Sequence, residues 1–118
     1  MSESSPELSA EQKIQQALRG IWISSRATLE ERISVLAQAQ QALAAGALSP
    51  ELQKLAESAA HKLAGVLGTF GLPQGSALAT KLERAFAADD EARMESGEIQ
   101  QWLAALKEEM AAQDRRYA

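Results

Sequence analysis

The sequence predicts an all-α protein, an antiparallel up-down bundle of four helices, and three observations carry that prediction. Apolar residues make up 46% of the 118 residues but aromatics only 4%, with alanine and leucine dominant, so the core comes from helix faces and not from β-branched strands. Apolar residues recur at three- and four-residue spacing in four separate runs. Between the runs stand helix stop and start signals, glycine after an end and serine or proline at a beginning. Short links of this kind imply antiparallel neighbours, and a chain of this length fits one domain that needs no staples.

Taken in order, residues 1–7, rich in Ser and Glu, have too little apolar content to order and are expected to be a disordered tail. From Leu8 onward, Ile14, Leu18, Ile21, Trp22, Leu29, Ile33, Leu36 and Leu43 mark a long first helix reaching Ala45 and ended by Gly46. Inside it, Thr28-Leu29-Glu30-Glu31 has capping-box spacing, so the alternative is a break near Arg26. Ser49-Pro50-Glu51 then combines an N-cap serine, a proline at the first helical position and a carboxylate at the positive end of the dipole. The helix it opens carries Leu52, Leu55, Ala59, Leu63, Val66 and Phe70 as its apolar stripe and runs to about Thr69, where Gly71 and Pro73 stop it. Pro73 opens a third helix, whose face is Gly75, Leu78, Leu82, Ala85 and Phe86, to about Ala87. After a polar connection around Asp89-Asp90-Glu91, a last helix starts between Ser96 and Glu98, carries Ile99, Trp102, Leu103, Leu106 and Met110, and is expected to fray before Asp114-Arg115-Arg116. The bundle is thus expected over 8–113, with 114–118 a tail or the start of a linker.

Charge and composition remove several function classes. A formal net charge of -4 leaves no basic stripe for a phosphate backbone, so no nucleic-acid partner is expected. Zero cysteines remove disulfides and thiolate chemistry and fit a reducing cytoplasm. The N-terminal stretch has no basic and apolar signal pattern, and no apolar run approaches the ~20 residues of a membrane span. A cytoplasmic protein with no membrane partner is expected, and polar outer faces favour a monomer.

The one histidine, His61, falls opposite the apolar stripe of its helix at about 100° of rotation per residue. Gly65 and Gly68 lie beside it on the same outer face, although each glycine inside a helix costs about 0.8 to 1 kcal/mol relative to alanine. The two glycines leave the imidazole on a bare strip that another protein can approach closely. A di-iron bundle needs Glu-x-x-His on two helices, and a single histidine preceded by Glu57 does not supply it; no metal or cofactor is expected. No Gly-x-Ser-x-Gly elbow or cysteine completes a catalytic triad. An ordinary solvated surface histidine is the bland alternative, and the glycines argue against it. Leu63, Phe70, Leu78 and Leu82 read as core, with Trp22 and Trp102 filling space between helices.

The pattern His61-x-x-x-Gly65-x-x-Gly68-x-x-Gly71 resembles the signature of histidine-containing phosphotransfer (HPt) domains, and the likeness continues through Leu72 to Ala79-Thr80-Lys81-Leu82-Glu83, covering roughly residues 55–86. The resemblance implies a four-helix bundle in a phosphorelay of two-component signalling. His61 would accept a phosphoryl group from a receiver aspartyl phosphate or a kinase and pass it to a receiver aspartate. The partner receiver, belonging to a response regulator or a hybrid kinase, would bring the aspartate and Mg²⁺, so the chain needs no nucleotide loop of its own. Imidazole, with an ordinary pKa of about 6.5, supplies a neutral nitrogen nucleophile near pH 7.

One departure stands out. Many HPt domains carry lysine three residues after the histidine, where this chain has Ala64; Lys62, about 100° around the helix, or Lys54, two turns earlier, are the candidates to offset phosphate charge. Glu83 corresponds to the polar family position that faces the histidine from the next helix and could fix which ring nitrogen attacks. The run His61-Lys62-Leu63-Ala64-Gly65 followed by Leu67-Gly68-Thr69-Phe70-Gly71 looks like HPt modules attached to bacterial response regulators, some of which also carry cyclic-di-GMP-synthesising domains. Two other functions compete: a non-phosphorylated docking bundle that binds receiver-type domains, and the dimerisation domain of a histidine kinase. The latter would show His-Glu-x-x-Thr/Asn-Pro, which this chain lacks.

Overall fold

The computed structural model describes residues 8–89 and 95–118. The expected tail over 1–7 and most of the polar connection after Asp89 lie outside these residues. Among the described residues four helices follow one another: α1 (Ala10–Ala44), α2 (Pro50–Thr69), α3 (Pro73–Phe86) and α4 (Ser96–Arg116). Each packs on its chain neighbour and α4 closes on α1, the order of an up-down bundle. One core of leucine, alanine and aromatic side chains, among them Leu36, Leu63, Leu67, Leu82, Phe86 and Leu106, runs along the axis.

Local chemistry fixes the ends. Ser9 and Gln12 form a capping box at the start of α1, and the Ser49 hydroxyl accepts from the Leu52 amide to start α2. At the other ends, Gly46 (φ 69°) and Gly71 (φ 72°) take the left-handed conformation. The Ala47 amide then donates to the Ala42 carbonyl and the Leu72 amide to the Leu67 carbonyl, closing two Schellman motifs that only glycine completes without strain.

α1 does not break near Arg26: its 35 residues form one helix. Trp22, Leu29, Ile33 and Leu36 stay in phase across that point and are all buried, so a break would cost core contacts for a cap the continuous helix does not need. Nor does α4 fray before Asp114. Asp114 accepts from the Trp22 indole N–H (2.8 Å) and from Arg26 Nε (2.9 Å), and Arg26 also pairs with Glu30 at 2.9 Å. One turn on, Tyr117 is buried and its carbonyl accepts from Arg19 Nε at 3.0 Å. The end read as a tail is therefore locked to α1.

Two apolar assignments also shift. Leu55 is 58% exposed, while Ala56, Ala60 and Leu67 are fully buried. The buried stripe of α2 is rotated toward the small residues, because two helices close on α2 and alanine permits the nearer approach. Ile14 and Ile21 are 58% and 53% exposed. Trp22 meets Phe70, at the end of α2, edge to face with ring centroids 5.1 Å apart, so the helix before Trp22 has passed the end of α2. At about 1.5 Å per residue α1 spans roughly 52 Å against roughly 30 Å for α2.

Candidate functional site

The site is built on the outer strip of α2, where it faces α3. His61 lies in the middle of the helix with its side chain 73% exposed, and its Nδ1 stands 3.0 Å from Glu83 Oε2 on α3. Helix periodicity explains the pairing. Leu82 and Phe86 point Glu83's helix into the core, which leaves Glu83 half-buried at the α2 seam. A carboxylate against Nδ1 favours the tautomer with its proton there, which leaves the Nε2 lone pair directed to solvent.

The glycines keep that nitrogen accessible for a directional reason. Helical side chains lean toward the N-terminus and cover the turn before their own Cα, so a side chain at 65 would lean over His61, and a long one at 68 would extend over position 65 toward it. Among the described residues, a Cβ added at Gly65 would meet nothing within 4 Å, and one at Gly68 only the Ser76 hydroxyl at 3.5 Å. Packing therefore does not demand either glycine.

The structure separates the remaining candidates. Lys62 and Lys54 are both exposed and neither forms an ion pair among the described residues. Lys62 stands about 100° around α2 from His61, and Lys54 sits two turns before it, where its stem leans toward the start of the helix. Ala64 is half-buried, on the same seam as Glu83. Its carbonyl accepts from the Ser76 hydroxyl at 2.8 Å.

Ser76 and Gln53 are the residues that sequence reasoning missed. The Gln53 amide donates to the carbonyls of Phe86 (2.8 Å) and Ala88 (3.0 Å), clamping the end of α3 to α2. With Ser76 at the other end, it fixes the register that brings Glu83 to His61. Side-chain bonds to a backbone on another helix leave no periodic mark in a sequence. Leu78, read as core, is half-buried and lines a groove with Ala105 on the far side of α3.

No curated protein and no solved structure matches the chain. A family model, described as Hpt domain, matches residues 21–115, from the point where α1 joins the core to the locked end of α4. An exposed histidine, a glycine strip and a four-helix frame agree with that match, and the chain belongs to the Hpt domain family.

Proposed function

We propose that the chain is a phosphorelay intermediate whose His61 Nε2 accepts a phosphoryl group from a receiver aspartyl phosphate, or from a histidine kinase, and returns it to a receiver aspartate. Histidine phosphotransfer is what the family implies. The observation that carries the reading at residue level is the 3.0 Å contact of Nδ1 with Glu83 on an imidazole otherwise open to solvent. In the forward step the Nε2 lone pair attacks phosphorus, the N–P bond forms, and the P–O bond to the donor aspartate breaks with its electron pair leaving as carboxylate. The Nδ1 proton stays against Glu83, where the carboxylate stabilises the positive ring. In the return step a receiver carboxylate oxygen attacks phosphorus and the N–P pair goes back to Nε2.

Such transfer depends on positioning and charge neutralisation more than on covalent help. Glu83 positions the ring, Gly65 and Gly68 give clearance, and the receiver supplies Mg²⁺; Lys62 and, more distantly, Lys54 add positive charge near the docked partner. A cytoplasmic relay to a bacterial response regulator is the setting this reading favours. No described helix is long and apolar enough to cross a membrane.

Incubation with a phosphorylated receiver tests this. Label should move to an acid-labile, base-stable site, and nuclear magnetic resonance of the labelled protein should place phosphorus on Nε2. His61→Gln should abolish transfer while unfolding within about 0.5 kcal/mol of the parent, as exposed substitutions do. A receiver that binds but leaves no label on the chain would favour the docking bundle instead.

A further inference from the structure

On the face made by α3 and α4, a quarter turn from the histidine, two open clefts of about 310 and 380 Å³ meet at Lys81. They form one groove, and residues that line it together set its register. Arg84 and Ala85 lie beside Glu98 and Ile99, Lys81 stands 5.9 Å over the Trp102 ring, and Gln74 and Ala77 lie beside Glu109 and Ala105.

Charge on this groove is sorted by helix. The α3 rim carries Lys81 and Arg84 and no acid, since Glu83, the only carboxylate of α3, faces His61. The α4 rim carries Glu98 and Glu109, with Glu95 just before the helix, and none of the bases of α4 lines either cleft. Among the described residues none of these five charges forms an ion pair.

We propose that this groove is a self-association surface and that its occupant is a second copy of the chain, related by a two-fold axis parallel to the helices. That axis lays α3 of one copy on α4 of the other at the same level. Arg84 then meets Glu98 of the second copy, Gln74 meets Glu109, and the small Ala77 and Ala105 let the backbones approach; each contact occurs twice. A two-fold axis across the helices would instead stack the basic rim on itself. The expectation of a monomer rested on polar outer faces, and on this face the polarity is self-complementary.

The interface is small. α3 is about 21 Å long, and a contact two helices wide covers roughly 500 Å² per copy, below the ~800 Å² of a standard interface. The dimer is therefore weak and concentration-dependent. The His61 face stays open in both copies, and the proposal does not rest on phosphotransfer.

Sedimentation of the full chain from about 20 μM to about 1 mM, at about 0.1 M salt so that whole-body repulsion is screened beyond ~10 Å, tests it. The weight-average mass should rise from 12.7 kDa toward twice that value. Arg84→Glu and Glu98→Arg, both at exposed positions, should each weaken association about tenfold or more by opposing like charges at both contacts. Their equimolar mixture, and the double variant, should recover it, with circular dichroism confirming that every variant is folded. A parent of constant mass across the range would overturn the proposal and leave the groove to a different partner. So would single variants that associate like the parent, or a mixture no heavier than its components.

Discussion

Replacing Gly65 separates what the bundle needs from what the site needs. Gly65 is helical and exposed, with open space where a Cβ would stand. Gly65→Ala should therefore gain the full helix-propensity difference of about 0.8 to 1 kcal/mol, part of it by narrowing the unfolded ensemble. For a domain of this size that is a rise of roughly 3 to 5 °C in melting temperature, readable by circular dichroism. Gly68→Ala should add nearly as much, since its new Cβ meets the Ser76 hydroxyl only at ordinary contact distance, 3.5 Å. Function should move the other way as the side chain grows. Gly65→Leu and Gly68→Arg should keep a folded, more helical protein yet slow transfer from a phosphorylated receiver, because Leu at 65 leans back over His61 and the long Arg at 68 extends along the same strip toward it. A Gly65→Ala protein that melts lower than the parent would show that the fold requires this glycine. A Gly65→Leu protein that transfers at the parent rate would show that clearance is not its purpose.

Charge beside the phosphoryl group gives a second test. Lys62→Ala should slow transfer several-fold at low salt, an ammonium near a phosphoryl group being worth on the order of 1 kcal/mol, and Ala64→Lys in that background should restore the rate, since position 64 opens onto the Glu83 seam. The α1–α4 lock predicts an acid response. Hydrogen bonds from Arg26, then from Trp22, hold the Asp114 carboxyl below its ordinary range, so its contribution is present above the unfolded carboxylate pKa of about 3.9 and is lost as pH falls through the lower folded value. Asp114→Asn should be less stable than the parent at pH 6 in urea titrations, and the difference should shrink toward pH 2; a difference independent of pH would assign the loss to packing. Gln113 is buried with no partner for either amide atom among the described residues, so Gln113→Met should raise stability by about 1 kcal/mol, and destabilisation would reveal a bound water that the amide needs.

Much of this molecule was legible because helix signals are local. Ser49-Pro50 and the two glycines of positive φ mark helix ends by backbone chemistry alone, and they stand where expected. The outward direction of His61 followed from periodicity and survives a rotation of the buried stripe, since Leu55 near its edge changed sides while the residue opposite its centre did not. What the sequence concealed depends on neighbours. Thr28–Glu31 has the spacing of a helix start, yet the core on both sides of it keeps α1 whole. Asp114 looks like part of a charged terminus until Trp22 and Arg26 arrive from 92 and 88 residues away. Gln53 and Ser76 give no sign of their clamps because their partners are main-chain carbonyls.

The two tryptophans make the protein its own instrument. Trp22 is sealed, 1% exposed, between the Phe70 ring and the Asp114 carboxylate, so its emission reports whether α1, α2 and α4 hold together. Trp102 is half-exposed in the α3–α4 groove beneath Lys81, where anything that settles on that face must change its solvent or its cation. Trp102→Phe leaves a probe of unfolding, and Trp22→Phe leaves a probe of surface occupancy. A red shift confined to the first and a blue shift confined to the second would distinguish loss of the bundle from occupation of its groove, by light alone and without a label.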